Sequence, residues 1–324
     1  MNPRMILALP LFWLACIIAG YLYSQEKNIP WAVVQLAAPA FLLEATLYLT
    51  LGVERWRVRL EKLPPAGVAG LLTIAAVAPY CAASLAFGTF HWMSLIYLAA
   101  LAGAVSFWYV VLPHQVVYDL LLLSLMALVT LTKAFKGIYV RPNDRLALEV
   151  LGQAMWIRTG LFALLSVRRV KGVGFGFWPS SREWRIGVLH FAVFLPIASA
   201  LAWAIHFAKL RVPTGSWSQI SVAAILTFFG TLWVLALGEE FFFRGLLQQW
   251  MGKWLASEWG GLIVTSLIFG SLHLWYQEFP NWRLAIVGSV AGLFYGSAFR
   301  QARSIRASMV THALTVTTWK VFFS

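Results

Sequence analysis

Apolar runs of about 20 residues follow one another along almost the whole chain, separated by short polar connectors. They do not alternate in polarity. In lipid every backbone amide and carbonyl must be satisfied inside a helix or a closed barrel. Runs of this length without alternation match spanning helices and exclude a barrel of short alternating strands. Sixty per cent of the 324 residues are apolar and 11% are charged, against about 45–50% and about 25% in soluble domains. The mean hydropathy of +0.76 agrees. The expected fold is all-α, a polytopic transmembrane helix bundle in a lipid bilayer. Candidate spans are 5–23, 31–52, 66–88, 93–112, 116–133, 147–166, 187–208, 219–243, 260–276, 284–299 and 305–322, which makes ten or eleven. The uncertain member is 147–166, whose Glu149 and Arg158 also suit a helix lying along the interface.

The net charge of +13 invites a nucleic-acid partner. The placement of the charges excludes one. They cluster in short connectors, Arg55, Arg57, Arg59 and Lys62 in one and Arg168, Arg169 and Lys171 in another. Basic short loops mark the cytoplasmic side of a membrane protein. Arg4, the 54–62 loop, the 167–185 loop and Arg300, Arg303 and Arg306 fit that side, whereas the 133–145 connector, with Lys133, Lys136, Arg141 and Arg145, falls opposite if every candidate spans. The run Met5 to Tyr23 has no small-residue cleavage site after it and reads as an uncleaved first helix. Cys16 and Cys81 lie in apolar runs and build neither a disulfide framework nor a thiolate site.

The basic, glycine-rich stretch 167–185 is a connector with turn chemistry. It separates an N-terminal helical region, 1–166, with no motif of its own, from a C-terminal region, 186–324. Within the latter, three formal charges interrupt an apolar run at Gly238-Glu239-Glu240-Phe241-Phe242-Phe243-Arg244. Each costs roughly 2.5–3.5 kcal/mol at a helix centre. Glu240 and Arg244 stand four apart and share a helix face, so they neutralise each other. Glu239 lies about 100° round the helix, without such a partner. His273 lies in the span 260–276, and His312 near the middle of the last span. Ser308 and Thr315 flank His312 at helical spacings, where either can orient its ring. Two histidines and one unpaired glutamate from three helices could converge in the bundle core. The other histidines, His91, His114, His190 and His206, sit near helix ends or on connectors and read as interfacial. Glu44 is a lone acid within 31–52, divided between a packing contact and a functional role. Arg158 reads as snorkelling.

The order Glu-Glu-x-x-x-Arg, then Phe-x-x-x-His, then a third motif opening with His resembles the CPBP family of intramembrane proteases. These are the type II CAAX prenyl endopeptidases, bacteriocin-processing enzymes and abortive-infection-type membrane proteins. The motifs here are Glu239, Glu240 and Arg244, then Phe269 and His273, then His312. The likeness covers about 174–324 and includes the Gly-Phe-Gly-Phe-Trp connector. One position departs: Val316 stands four after His312, where the family usually has Asn, and Thr315 or Thr317 is a candidate substitute. The resemblance implies a helix bundle with a polar cavity that admits a peptide segment of a membrane-associated protein. It implies Glu239 as general base for a water, with His273 and His312 binding that water and stabilising the oxyanion in one order or the other. Glu240 and Arg244 would fix the helix. Family analogy places such a protein in a prokaryotic inner membrane.

Glu239, His273 and His312 are also a zinc ligand set with one open position. The usual His-Glu-x-x-His helix is absent, and Glu240, occupied by Arg244, would then have to be the base. The favoured expectation is a glutamic mechanism without a metal cofactor. Two other classes stand beside it. A proton-coupled transporter also carries lone acids and histidines at the midplane, but no repeat of the two halves is visible here. A catalytically inactive CPBP-like scaffold is suggested by Val316, yet the glutamates and histidines are present.

Overall fold

The computed structural model describes residues 3–213, 215–276 and 278–323, with side chains from residue 9 onward. The side chain of Arg4 therefore lies outside the described residues. Among the described residues no strand forms, and the helices divide into two compact units, Met1–Val170 and Lys171–Ser324.

The first unit runs α1 (Pro3–Lys27), α2 (Trp31–Gly52), α3 (Glu54–Leu60), α4 (Pro65–Ala86), α5 (Trp92–Val111), α6 (Val116–Leu131), α7 (Phe135–Ile138) and α8, which spans Glu149–Phe162 and continues through a π turn, Ala163–Val167. Helix α8 packs on α2, α4 and α5. Gly152 lets α7 lie close against α8, since a Cβ there would stand 2.6 Å from the Phe135 ring. The interfacial reading of 147–166 is thereby corrected: the helix Glu149–Val167 is 72% buried, the largest share among the seven candidate spans of the described residues.

The reason is a charge pair that no local spacing reveals. Arg158 does not snorkel. Its Nε and Nη2 donate to the two Glu44 carboxylate oxygens at 2.9 and 3.1 Å, and Nη2 also reaches the Ala75 carbonyl. Both side chains are almost wholly buried. Glu44 thus has a partner, on a helix 114 residues away. The misfit of the 133–145 connector has a similar explanation. Arg141 is paired with Glu149, and Arg145 donates to the Asn28 carbonyl in the α1–α2 turn. Charges engaged by the protein are weak topology signals.

The second unit contains α9 (Ser181–Ala204), α10 (Trp217–Trp254), α11 (Glu258–Ser271), α12 (Trp282–Ala302) and α13 (Ile305–Phe322). Capping boxes open α9 and α10, with Ser180 and Glu183 in one and Ser216 and Gln219 in the other. Helix α12 packs on α9, α11 and α13, and α13 on α9 and α10. The connector preceding α9 is not simply solvated. Val173 is buried, its carbonyl accepts from the Ile305 amide, and the Gly174 carbonyl accepts from Ser304. Gly174 has φ +62 and lies so close that a Cβ would stand 2.4 Å from the Ser304 Cα. Only glycine meets both conditions.

Seven helices among the described residues are long and apolar enough to cross a membrane: α2, α4, α5, α8 with its π turn, α9, α10 and α12. The expected ten or eleven is somewhat higher. Helix α6 has 16 residues and α11 has 14, both short for a full span. Helix α13 carries buried Ser308, Thr311 and His312, which lower its apolar content.

Candidate active site

The glutamate pair sits where the longest helix changes its winding. Within α10 a regular segment, Trp217–Gly230, gives way to a π segment, Thr231–Leu235, then a single α turn, Ala236–Glu240, then a second π segment, Phe241–Gln248. Such segments are frequent at functional sites, and each surplus residue turns the following face by roughly 100°. Glu239 and Glu240 occupy the α turn between them and point into different surroundings.

Glu240 is fully buried. Its Oε1 accepts from Arg244 Nη1 at 3.2 Å and from His312 Nδ1 at 2.8 Å. Arg244 is equally buried, and its Nη2 donates to the Gly292 carbonyl at 3.3 Å. Three aromatic rings surround the guanidinium, with Phe269 at 4.5 Å, Tyr295 at 5.3 Å and Phe243 at 5.6 Å from its central carbon. A cation so enclosed draws on the ring faces as well as on its carboxylate. Glu239 differs: its side chain is 32% exposed, and its Oε2 stands 3.8 Å from His312 Nε2. That distance is too long for a direct hydrogen bond and suits a bridging water.

His312 is thus set between the two glutamates, one at each ring nitrogen. Its orientation comes from Glu240, not from its own helix. Ser308 and Thr315 donate to main-chain carbonyls, of Ile305 and Thr311, which corrects their expected role as ring partners. Thr315 is also hydrogen-bonded to the Tyr295 side chain. Tyr295 stacks on His312 with centroids 4.6 Å apart and planes 16° from parallel. The sequence reading passed over this tyrosine.

His273 does not lie deep in a span. Helix α11 ends at Ser271, and His273 falls in the 3-10 turn Leu272–Trp275, half-buried. Its Nδ1 is 2.9 Å from the Phe269 carbonyl. The Phe269 ring meets both histidines edge-on, at 5.0 Å from His273 and 6.1 Å from His312, while also covering Arg244. One phenylalanine therefore joins all three motifs.

A glycine stripe on α12, Gly288, Gly292 and Gly296, makes this assembly possible. Glycines at every fourth position let membrane helices approach closely. Here they also bare the backbone: Arg244 reaches the Gly292 carbonyl, Gln248 the Gly296 carbonyl, and the His273 ring lies against Gly288. The spacing is legible in the sequence itself. Among the described residues, no three His, Cys, Asp or Glu side chains come together as a metal-ligand set.

Residues 221–318 match the family model described as type II CAAX prenyl endopeptidase Rce1-like. No curated protein and no solved structure matches the chain. The matched stretch contains Glu239, Glu240, Arg244, Phe269, His273 and His312, the residues on which the CPBP resemblance was drawn. The second unit thus contains a stretch similar to the Rce1-like type II CAAX prenyl endopeptidases, in an integral multi-pass membrane protein.

Proposed function

We propose that the second unit is an intramembrane endopeptidase that hydrolyses a peptide bond of a membrane-associated protein or peptide with a water activated by Glu239. The observation that carries this reading is the placement of His312 between a buried, paired glutamate and a partly exposed, unpaired one. With Nδ1–H donating to Glu240, His312 presents the Nε2 lone pair towards Glu239. A water between them donates one hydrogen to Glu239 Oε2 and the other to Nε2, and its own lone pair is left to attack a carbonyl carbon.

Glu239 takes the proton as the carbon–oxygen bond forms, and the carbonyl electrons move onto its oxygen. His273 donates to that oxyanion from Nε2 in its doubly protonated form, since a neutral ring gives its one N–H, at Nδ1, to the Phe269 carbonyl. Collapse of the tetrahedral intermediate breaks the carbon–nitrogen bond, and Glu239 returns its proton to the leaving amine. Arg244 neutralises Glu240, so the second carboxylate stays a support and not a base. The spread of the potential ligands and the engagement of Glu240 support a mechanism without metal. Family analogy supports a prokaryotic inner membrane as the location.

Co-expression with membrane-anchored reporter peptides tests the reading. Wild type is expected to release a fragment, and Glu239→Gln, which keeps the shape but cannot accept the proton, is expected to release none. Equal release by both would overturn it.

A further inference from the structure

A second polar site lies in the first unit, at the helix ends that carry the basic connectors. There the α3–α4 connector, the α5–α6 connector and the end of α8 enclose a cavity of about 330 Å³, within the range of small-ligand pockets. Glu61, Ser166, Arg168 and Arg169 line it, and Pro65 and Val68 bring the first turn of α4 to its wall.

The charges at this cavity leave a positive surplus. Asp119, fully buried, accepts from Arg168 Nε and Nη2 at 2.9 and 3.0 Å, which cancels that arginine and leaves its Nη1 outside the bidentate contact. Glu61 is cancelled in turn, because Arg57 stands four residues earlier and attracts it. His114, also at the wall, is engaged through Nε2 with the Tyr109 carbonyl at 3.2 Å. Exposed Arg169 is left without an acid, and Arg55, Arg59 and Lys62 surround Glu61 in sequence.

Two sets of unused donors meet this surplus. Ser166 is only 5% exposed, yet its hydroxyl has no hydrogen-bond partner among the described residues. Buried hydroxyls are seldom left so. Helix α4 starts on Pro64 without a side-chain cap, and its first helical bond runs from the Val68 amide to the Pro64 carbonyl. The amides of Ala66 and Gly67 therefore have no acceptor within the helix, and the positive end of a 22-residue helix opens beside the cavity. Hydroxyl, helix start and surplus arginine all call for an anion.

We infer that the cavity binds a phosphate group, held either as the phosphodiester of a phospholipid whose headgroup adds no cation or as a soluble phosphate. The Ser166 hydroxyl and the α4 amides donate to its oxygens, and Arg168 Nη1 and Arg169 face its charge. The α4 start and the α8 end put the cavity at headgroup level, where the basic 54–62 connector disfavours an ammonium.

The full-length protein in detergent is examined by native mass spectrometry with an equimolar mixture of dioleoyl phosphatidylglycerol, phosphatidylethanolamine and phosphatidylcholine, and by calorimetry with inorganic phosphate. A lipid source predicts retention of phosphatidylglycerol about fivefold above each other lipid, the ratio that one partly exposed charge contact supplies. A soluble source predicts binding of inorganic phosphate and no lipid preference. In either case Ser166→Ala is expected to weaken binding about tenfold, the scale of a hydrogen bond to a charged group. Helix content and thermal midpoint should hold, since the hydroxyl removed bonds nothing within the protein. Arg59→Ala, on the same connector but outside the cavity lining, is expected to leave binding nearly unchanged. Binding of neither probe, a preference for either zwitterionic lipid, or binding unmoved by Ser166→Ala would overturn the inference. So would equal weakening by Ser166→Ala and Arg59→Ala, which would assign the attraction to diffuse surface charge.

Discussion

His312 Nδ1 lies 2.8 Å from Glu240 Oε1, a bond between side chains 72 residues apart. The same oxygen accepts from Arg244, so one carboxylate ties the first motif of the site to the third. Glu240 is in this reading a positioning residue: it fixes which nitrogen of His312 faces Glu239. Glu240→Gln keeps a carbonyl acceptor for Nδ1 but loses the charge. It is expected to lower kcat by about 10–100-fold, the usual scale for such supporting groups, with KM little changed. A fall confined to KM in reporter kinetics would show a substrate-binding role instead.

Arg244 is enclosed on all sides, and Glu239 is a third exposed. Arg244→Ala leaves Glu240 charged and buried, an error of about 3–5 kcal/mol, and is expected to deplete folded protein in the membrane. Glu239→Ala removes no buried partner and is expected to leave the yield nearly unchanged. Size-exclusion chromatography of fluorescent fusions separates the two. Equal losses would make Glu239 structural.

Helix contact through bare backbone gives a sharper contrast. A Cβ at Gly270 would stand 1.9 Å from Ser289 Oγ and 2.4 Å from the Ala285 carbonyl oxygen, whereas one at Gly230 would meet nothing within 4 Å. Gly270→Ala is expected to cost more than the roughly 1–3 kcal/mol of ordinary overpacking. Gly230→Ala is expected to be neutral or to stabilise by up to about 1 kcal/mol. Thermal midpoints in one detergent check both, and a tolerated Gly270→Ala would mean that α11 and α12 pack more loosely than described.

Strong chelators are expected to leave peptide cleavage intact. Purified protein holding one equivalent of zinc, with activity lost on its removal and regained on its return, would replace the glutamic mechanism by a metal one.

Val316 is half-buried on the face of α13 that bears His312, four residues on. Thr315 cannot lend its proton there, because it already donates to the Thr311 carbonyl. Val316→Asn is expected to raise turnover, by up to about 10²-fold if an oxyanion donor is missing. Unchanged turnover would mean that the site is already complete with its present donors.

The helical bundle was legible because apolar runs report directly on lipid exposure. The pairing of Glu240 with Arg244 was legible because it is local, four residues along one helix. What the sequence could not show was contact between distant helices. His312 on Glu240, Arg158 on Glu44 and Tyr295 on His312 all depend on how whole helices are set side by side. The π segments around Glu239 were hidden for a related reason. They follow from packing along α10, and no residue type announces them. The end of α11 was misplaced because Leu272 to Tyr276 is apolar enough to pass for helix.

The Glu44–Arg158 bond also has a consequence for the order in which the protein is made. Its halves are 114 residues apart, on α2 and α8. At about 5–20 residues per second, a ribosome that has just released α2 needs roughly 6–23 s to deliver the arginine. During that interval the nascent chain holds an orphan acid in a segment bound for lipid. A chain stopped before α8 would keep it indefinitely, which makes Glu44 a mark by which unfinished copies can be told from finished ones.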